Sequence, residues 1–186
     1  MADKSDKKSI MQTNVAQLLK SPIGSIRTLK VDSALSYDDN QFPVKGEITL
    51  MRTHRSILAQ GTSTTEIKMI CSRCLKPFNN KIHFNVQEEY FPTIDIITGD
   101  KMSLPEEDGS FTIDEQHVLD LTEAIRQYIV MALPMKPLCK TNCAGLCSTC
   151  GKDLNGGECD CREKRIDPRW AELLKLKKRS KDNDKS

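Results

Sequence analysis

LCKTNCAGLCSTCGKDLNGGECDC, residues 138–161, holds six of the eight cysteines in this chain of 186 residues. Four glycines lie among the cysteines, so the stretch has little apolar mass with which to hold a shape. Disulfides or a bound metal ion must therefore fix its conformation. The six cysteines form three close pairs, namely Cys139 and Cys143, Cys147 and Cys150, and Cys159 and Cys161.

The composition favours a cytoplasmic protein with reduced thiols. The first ten residues, MADKSDKKSI, are charged and lack the apolar segment of a secretory signal. No stretch approaches the roughly 18 apolar residues of a membrane span, so we expect no membrane partner. In a reducing compartment, clustered cysteines are more often metal ligands or redox groups than disulfides.

The spacing of the cysteines predicts one or two zinc ions. Tetrahedral zinc binds four thiolates, and a C-x2-C turn can present two of them while its amides point at the sulfurs. A local site would consist of Cys147, Cys150, Cys159 and Cys161, which one short Gly-rich loop connects. A second, long-range site would combine Cys71 and Cys74, in ICSRCLKPF, with Cys139 and Cys143. Other partitions, and iron or an iron–sulfur cluster, stay open.

Residues 44–91 predict an antiparallel β-meander or a small barrel. Residues 62–70 are rich in β-branched side chains, and residues 81–90 alternate, with Ile82, Phe84 and Val86 on one face. Gly61 is expected to end a strand. The short connections favour antiparallel pairing, and residues 111–113 are expected to return briefly to the sheet.

Residues 120–133 predict one main helix, which we expect to pack on the sheet and complete an α+β fold. Asp120 and Glu123 have the spacing of a capping box. Asn14 is expected to cap a short helix, and Pro168 to begin a last one. The apolar stripe of the main helix consists of Leu121, Ala124, Ile125, Tyr128, Ile129 and Ala132.

The predicted organisation has four parts: a disordered N-terminus (1–12), an α+β core domain (13–137), a Cys-rich zinc module with the final helix (138–175), and a basic disordered tail (176–186). Charge is uneven along the chain. Residues 88–120 carry ten acidic residues against one lysine, whereas residues 162–186 carry ten basic residues against five acidic ones. Such asymmetry suggests that the basic end of the chain, residues 162–186, faces a polyanion.

Nothing in the sequence indicates an enzyme. The three histidines, His54, His83 and His117, are scattered, and no P-loop, Rossmann glycine pattern, H-E-x-x-H motif or nucleophile elbow occurs. A zinc ion with four thiolates has no open coordination position, so it would stabilise rather than catalyse. We therefore expect no catalytic residue and no small-molecule substrate.

The order of several motifs resembles the YceD family, the large ribosomal RNA subunit accumulation proteins of bacteria and plastids. These motifs are ICSRCLKPF after a β-rich segment, then ALPMKPLCKTNCAGLCSTCGKDLN, then CDC and DPRWAEL. The resemblance implies a role in the accumulation or processing of large-subunit rRNA, and so in ribosome assembly. Large-subunit rRNA or a pre-ribosomal particle would be the partner, together with a ribosomal protein or assembly factor.

Contact with rRNA would be made through phosphates, because no stacking platform of interleaved aromatics is visible. The cations expected to bind it follow the last cysteine: Arg162, Lys164, Arg165, Arg169, Lys175, Lys177, Lys178 and Arg179. Four others near the cysteine pairs would extend that surface: Arg73, Lys76, Lys140 and Lys152. Two other functions stay open. One is a protein-binding adaptor that uses the acidic loop 92–109, and the other is a thiol or metal redox sensor.

Overall fold

A computed structural model describes residues 11–37, 40–104 and 109–161 of the chain. These residues fall into two compact units. The first contains residues 11–72 and 76–139, and the second contains residues 73–75 and 140–161, as far as each is described. The final helix expected at Pro168, the basic tail and part of the acidic loop lie outside the described residues.

The first unit is built on a curled sheet with the form of a half-barrel. Its spatial order is β1-β7-β6-β5-β4-β3-β2. Within the described residues its strands are β1 (Gln12–Asn14), β2 (Ile26–Tyr37), β3 (Asn40–Arg52), β4 (Ile57–Ile70), β5 (Pro77–Pro92), β6 (Phe111–Ile113) and β7 (Val118–Asp120). Met11, just before β1, is buried, although both it and Gln12 belong to the segment 1–12 for which we expected no fixed structure.

The predicted antiparallel meander is confirmed for β2 to β5, but the sheet as a whole is mixed. Strand β6 runs parallel to β5, with Tyr90 beside Phe111 and Pro92 beside Ile113. A parallel neighbour needs a long connection, and residues 93–110 provide one that returns the chain to the same edge. The predicted antiparallel meander therefore does not extend to the pairing of β5 with β6, which is parallel.

Gly61 does not end a strand, because β4 continues through it without interruption. The glycine lies opposite Ile48 on β3, and a Cβ atom at Gly61 would lie only 2.1 Å from the carbonyl oxygen of Glu47. Gly46 is equally confined, since its Cβ would lie 2.2 Å from the Ser63 hydroxyl. Glycine within a strand commonly marks such a close backbone approach.

Two helices of the described residues pack in the first unit, namely the short helix expected near Leu18 and Leu19 and the expected main helix. Helix α1 (Ala16–Lys20) contributes Leu18 and Leu19 to the core. Its N-cap is Val15 and not the expected Asn14, although the Asn14 side chain accepts a hydrogen bond from the amide of Ala16 at 3.0 Å. Helix α2 (Thr122–Ala132) is the expected main helix. Its predicted stripe is confirmed, because Leu121, Ala124, Ile125 and Ile129 are all buried.

The predicted capping box of α2 is wrong. Asp120 is the last residue of β7, and its carboxylate accepts a hydrogen bond from the amide of Thr122 at 2.8 Å. Glu123 does not return to Asp120 but binds the side chains of Arg126 and Gln127. Asp120 therefore helps to start the helix from the end of the strand. Its side chain accepts the amide two residues later, and no reciprocal capping box forms.

The outward-facing positions of β2 to β5 carry charges of both signs. Lys30 lies opposite Glu47, and Asp32 lies opposite Lys45 on the neighbouring strand. Opposite charges at paired positions stabilise a sheet and leave no net field of one sign. None of the helices in the described ranges is long and apolar enough to cross a membrane.

Gly61→Ala is expected to lower the free energy of unfolding by about 1–3 kcal/mol, because the new methyl group would overlap the β3 backbone. Urea titration monitored by circular dichroism would measure the change. Gln60→Ala, at the neighbouring exposed position of β4, is the matched control and should stay within about 0.5 kcal/mol of the parent. An unchanged midpoint for Gly61→Ala would mean that the two strands can separate freely there.

Candidate metal centres

The eight cysteines lie in two groups of four, and all eight are present as thiols. In each group the sulfur atoms lie within 4.8 Å of one another: Cys71, Cys74, Cys139 and Cys143 form one group, and Cys147, Cys150, Cys159 and Cys161 form the other. These are the two sets that the sequence spacing predicts. Four thiolates bound to zinc at about 2.3 Å would be about 3.8 Å apart, so a small contraction of either group would fit the ion.

The two C-x2-C turns share one backbone geometry. In each, the amide of the first cysteine donates to the carbonyl oxygen of the lysine five residues later. The distance is 2.9 Å from Cys71 to Lys76 and 2.8 Å from Cys147 to Lys152. This bond closes the turn and holds the two cysteines of the pair on one side.

Each turn also requires a left-handed residue directly after its second cysteine. Gly151 has φ of +74° and Leu75 has φ of +58°. Glycine adopts this region without steric cost, whereas a leucine there is unusual. The side chain of Leu75 is also largely exposed to solvent. The turn therefore keeps its left-handed backbone conformation at Leu75, although a leucine side chain disfavours that conformation.

Backbone amides activate the first sulfur of the local group. The amide of Thr149 donates to Cys147 Sγ at 3.4 Å. Hydrogen bonds from the amides of Cys150 and Thr149 lower the pKa of the Cys147 thiol to about 6. A thiolate is thus favoured at neutral pH, and the thiolate is the form that binds metal.

Two other thiols of the local group, those of Cys159 and Cys161, retain their protons more strongly. A hydrogen bond to Cys150 is the main reason that the pKa of Cys161 rises to about 12. A hydrogen bond to Cys147 is the main cause that raises the pKa of Cys159. These sulfurs therefore lie close enough to hydrogen-bond to one another, and a divalent cation would supply an attraction of the same kind with more charge.

The two groups differ in exposure. Cys71, Cys74 and Cys143 are buried, with 4% of their surface or less accessible, while Cys139 is exposed. In the local group Cys150 is exposed and the other three cysteines are half-buried. The local group is accordingly the more open to solvent and to competing chelators.

Two residues outside the cysteines hold Cys143 in the second unit. Arg73 donates to the carbonyl oxygen of Cys143 at 2.9 Å, and the side-chain amide of Asn155 donates to its sulfur at 3.4 Å. The sequence indicates Arg73 only as a phosphate contact and does not point to Asn155. An asparagine in a Gly-rich turn (LNGG) gives no local sign of a bond made to a residue 12 positions earlier.

The predicted rRNA contacts are distributed unevenly over the described chain. All eight residues proposed after the last cysteine lie outside the described residues: Arg162, Lys164, Arg165, Arg169, Lys175, Lys177, Lys178 and Arg179. Of the four additional cations, Lys76 and Lys140 are exposed. Arg73 and Lys152 are exposed as well, but each donates to a backbone carbonyl, and for Lys152 this is the oxygen of Glu158 at 2.7 Å.

Comparison with known proteins gives a family match over most of the chain. The family model described as "Large ribosomal RNA subunit accumulation protein YceD" matches residues 59–177, a span that contains all eight cysteines. No solved structure matches the chain.

Three relatives illustrate the similarity. An uncharacterized protein of Mycobacterium tuberculosis is 32% identical over 120 residues, which are 64% of this chain and 55% of the relative. An uncharacterized protein of Mycobacterium leprae is 26% identical over 135 residues, covering 72% and 59% respectively. The large ribosomal RNA subunit accumulation protein YCED homolog 1, chloroplastic, of Arabidopsis thaliana is 23% identical over 195 residues, covering 94% and 60%. The chain thus spans little more than half the length of the curated relatives that it matches.

Gly151→Ala is expected to destabilise the local turn by about 1–2 kcal/mol, because alanine resists the left-handed conformation. The affinity for zinc at this group should fall accordingly, as measured by competition with a colorimetric chelator. Gly156→Ala is the matched control, since Gly156 lies in the same loop, has an ordinary φ and leaves open space where a Cβ atom would lie. Equal affinities for the two variants would contradict the requirement for a left-handed residue.

Proposed function

This chain belongs to the YceD family, the large ribosomal RNA subunit accumulation proteins, and from this premise we propose that it is a non-enzymatic factor in ribosome assembly. It would support the accumulation or processing of large-subunit rRNA. The observation that carries the proposal is the family match across all eight cysteines, together with the name of the Arabidopsis relative. The name describes an accumulation factor, which agrees with a role without catalysis.

Zinc is the metal that we propose for the two cysteine groups. Four thiolates at tetrahedral spacing are the usual ligand set of a structural zinc site, and thiolate-rich sites prefer zinc or copper(I) to harder ions. Such a site is closed, so its ion would stabilise the fold and leave no position for a substrate. Cys147, Cys150, Cys159 and Cys161 would hold one ion, and Cys71, Cys74, Cys139 and Cys143 the other.

The proposed partner is large-subunit rRNA or a pre-ribosomal particle, in the cytoplasm. The ten cations of residues 162–186 would bind phosphates, which gives affinity without sequence preference. The outer face of the sheet, with its alternating charges, is a poorer candidate because opposite signs cancel. A ribosomal protein or assembly factor would bind elsewhere, and we propose neither a small-molecule substrate nor a membrane.

Protein purified without added metal should contain about two zinc ions per chain by elemental analysis. Cys147→Ser should remove one of them, because the remaining three thiolates bind zinc more weakly. Ser148→Ala, at the adjacent exposed position, should leave both in place. A metal-free wild-type protein whose melting temperature does not respond to chelators would refute the zinc proposal.

Replacing Arg162, Lys164, Arg165 and Arg169 by glutamine should weaken binding to large-subunit rRNA, because each cation that binds a phosphate releases counterions. The slope of log K against log salt should become shallower by roughly 0.7–0.9 for each phosphate that is no longer neutralised. Filter binding at several salt concentrations would measure both quantities. The proposal expects the same weakening with unrelated RNA of equal length.

The matched control neutralises Lys30, Lys45, Lys68 and Lys81 on the outer face of the sheet. It removes the same number of positive charges and should change the salt slope little. Equal decreases in affinity for the two variants would contradict a specific role of the residues after Cys161. Capture of a basic protein partner without any RNA affinity would favour the adaptor function instead.

A further inference from the structure

Asn155 lies in the loop that joins the two cysteine pairs of the local group. The loop contains a short 3-10 turn, Leu154–Gly156, which begins after Asp153. The carboxylate of Asp153 accepts the backbone amide of Asn155 at 2.9 Å and its side-chain amide at 2.8 Å. Both ends of Asn155 are thus fixed by the residue that starts the turn.

The side chain of Asn155 bridges from this loop to the segment around Cys143. Its oxygen accepts the backbone amide of Ala144 at 3.0 Å, and its nitrogen donates to Cys143 Sγ at 3.4 Å. The orientation of the amide is determined by its surroundings, since the oxygen faces an N–H donor and the nitrogen faces a sulfur and a carboxylate. A flipped side chain would break all three hydrogen bonds.

Two backbone contacts join the same two segments. The amide of Leu154 donates to the carbonyl oxygen of Gly145 at 2.9 Å, and Leu146 forms an isolated β-bridge with Asp153. Gly145 has φ of +76°, and a Cβ atom there would lie 3.1 Å from the Arg73 carbonyl. Several hydrogen bonds therefore join the loop of the local group to residues 144–146, directly after Cys143. Among these contacts, the side chain of Asn155 supplies the one to the Cys143 sulfur.

An N–H donor directed at a buried sulfur helps to fix the position of that sulfur. Cys143 is 2% exposed, so water cannot replace a missing donor. Hydrogen bonds from residues around the ligands orient metal sites, and removing one typically costs 10–100-fold in metal affinity. Asn155 is positioned to orient Cys143, a cysteine outside the local group, in this way.

We propose that Asn155 couples the two cysteine groups. An ion bound by Cys147, Cys150, Cys159 and Cys161 orders the loop that presents Asn155, and the Asn155 amide then holds the Cys143 sulfur in place for metal binding. Filling either group therefore raises the affinity of the other, since coupling between two sites is reciprocal. This inference rests on the proposed zinc binding, and it adds an order of loading and a positioning residue.

The first test is Asn155→Asp, which keeps an oxygen for the Ala144 amide but removes the donor to Cys143. Zinc affinities are measured by chelator competition, and cadmium NMR assigns each decrease to one group through a separate resonance for each bound ion. We expect the ion held by the Cys143 group to bind at least about 10-fold more weakly. Asn142→Asp adds the same charge at an exposed position of the segment before Cys143 and should bind both ions as the wild type does.

A second variant guards against simple misfolding of the turn. Asn155→Asp places two carboxylates side by side, whereas the exchange Asn155→Asp with Asp153→Asn restores a donor and acceptor between positions 153 and 155. The exchange still offers no donor to Cys143, so the same decrease in affinity is expected. Wild-type affinity in the exchanged variant would overturn the assignment of Asn155.

The coupling is tested by removing the local group with Cys147→Ser and Cys150→Ser together. The affinity of the Cys143 group should fall, and adding Asn155→Asp should then cost much less than it does in the intact protein. If the cysteine substitutions and Asn155→Asp each lowered the zinc affinity of the Cys143 group by a factor that did not depend on the other, the coupling would be overturned. This holds even where Asn155→Asp alone weakens binding. Wild-type protein that binds no zinc in these titrations would instead refute the proposed function, so the two failures are distinguishable.

Discussion

Sulfur forms the interior of the second unit. Among its described residues, the buried side chains are those of Cys74 and Cys143, with Gly145 as the only other buried residue. A module with so small an apolar core cannot obtain its stability from burial, and chains of this kind commonly rely on metals or disulfides. The amides and carbonyls of the two C-x2-C turns determine where the sulfurs are placed.

The first unit depends on a different constraint, the close approach of β3 and β4 at Gly46 and Gly61. At these two positions the strands lie so close that a Cβ atom would overlap the neighbouring strand. The sheet curls around a core that includes Leu121, Ile125 and Ile129 of the helical region. The concave side holds the apolar core, while the outer face presents alternating charges to solvent. The unit therefore combines a well-packed interior with an outer surface that has no strong preference for one sign of charge.

Much of this arrangement was predictable from local pattern. Alternation identified β5, helical periodicity identified the buried face of α2, and spacing divided the eight cysteines into the observed sets. The errors came from residues whose roles depend on distant neighbours. Gly61 resembles a strand end unless β3 is known to lie against it, β6 is too short to reveal its direction, and Asn155 acquires its contact with Cys143 only in the folded chain.

Strand β1 has a consequence for handling the protein. It covers the free edge of β7, and the carbonyl of Met11 accepts the amide of Leu121 at 2.9 Å, just before α2 begins. A protease cut after Asn14 would leave β7 with unpaired backbone groups, and sheets with such bare margins tend to recruit strands from other molecules. Loss of residues 1–14 by proteolysis during storage would thus be a route to aggregation, and an affinity tag is better attached ahead of Met11 than in its place.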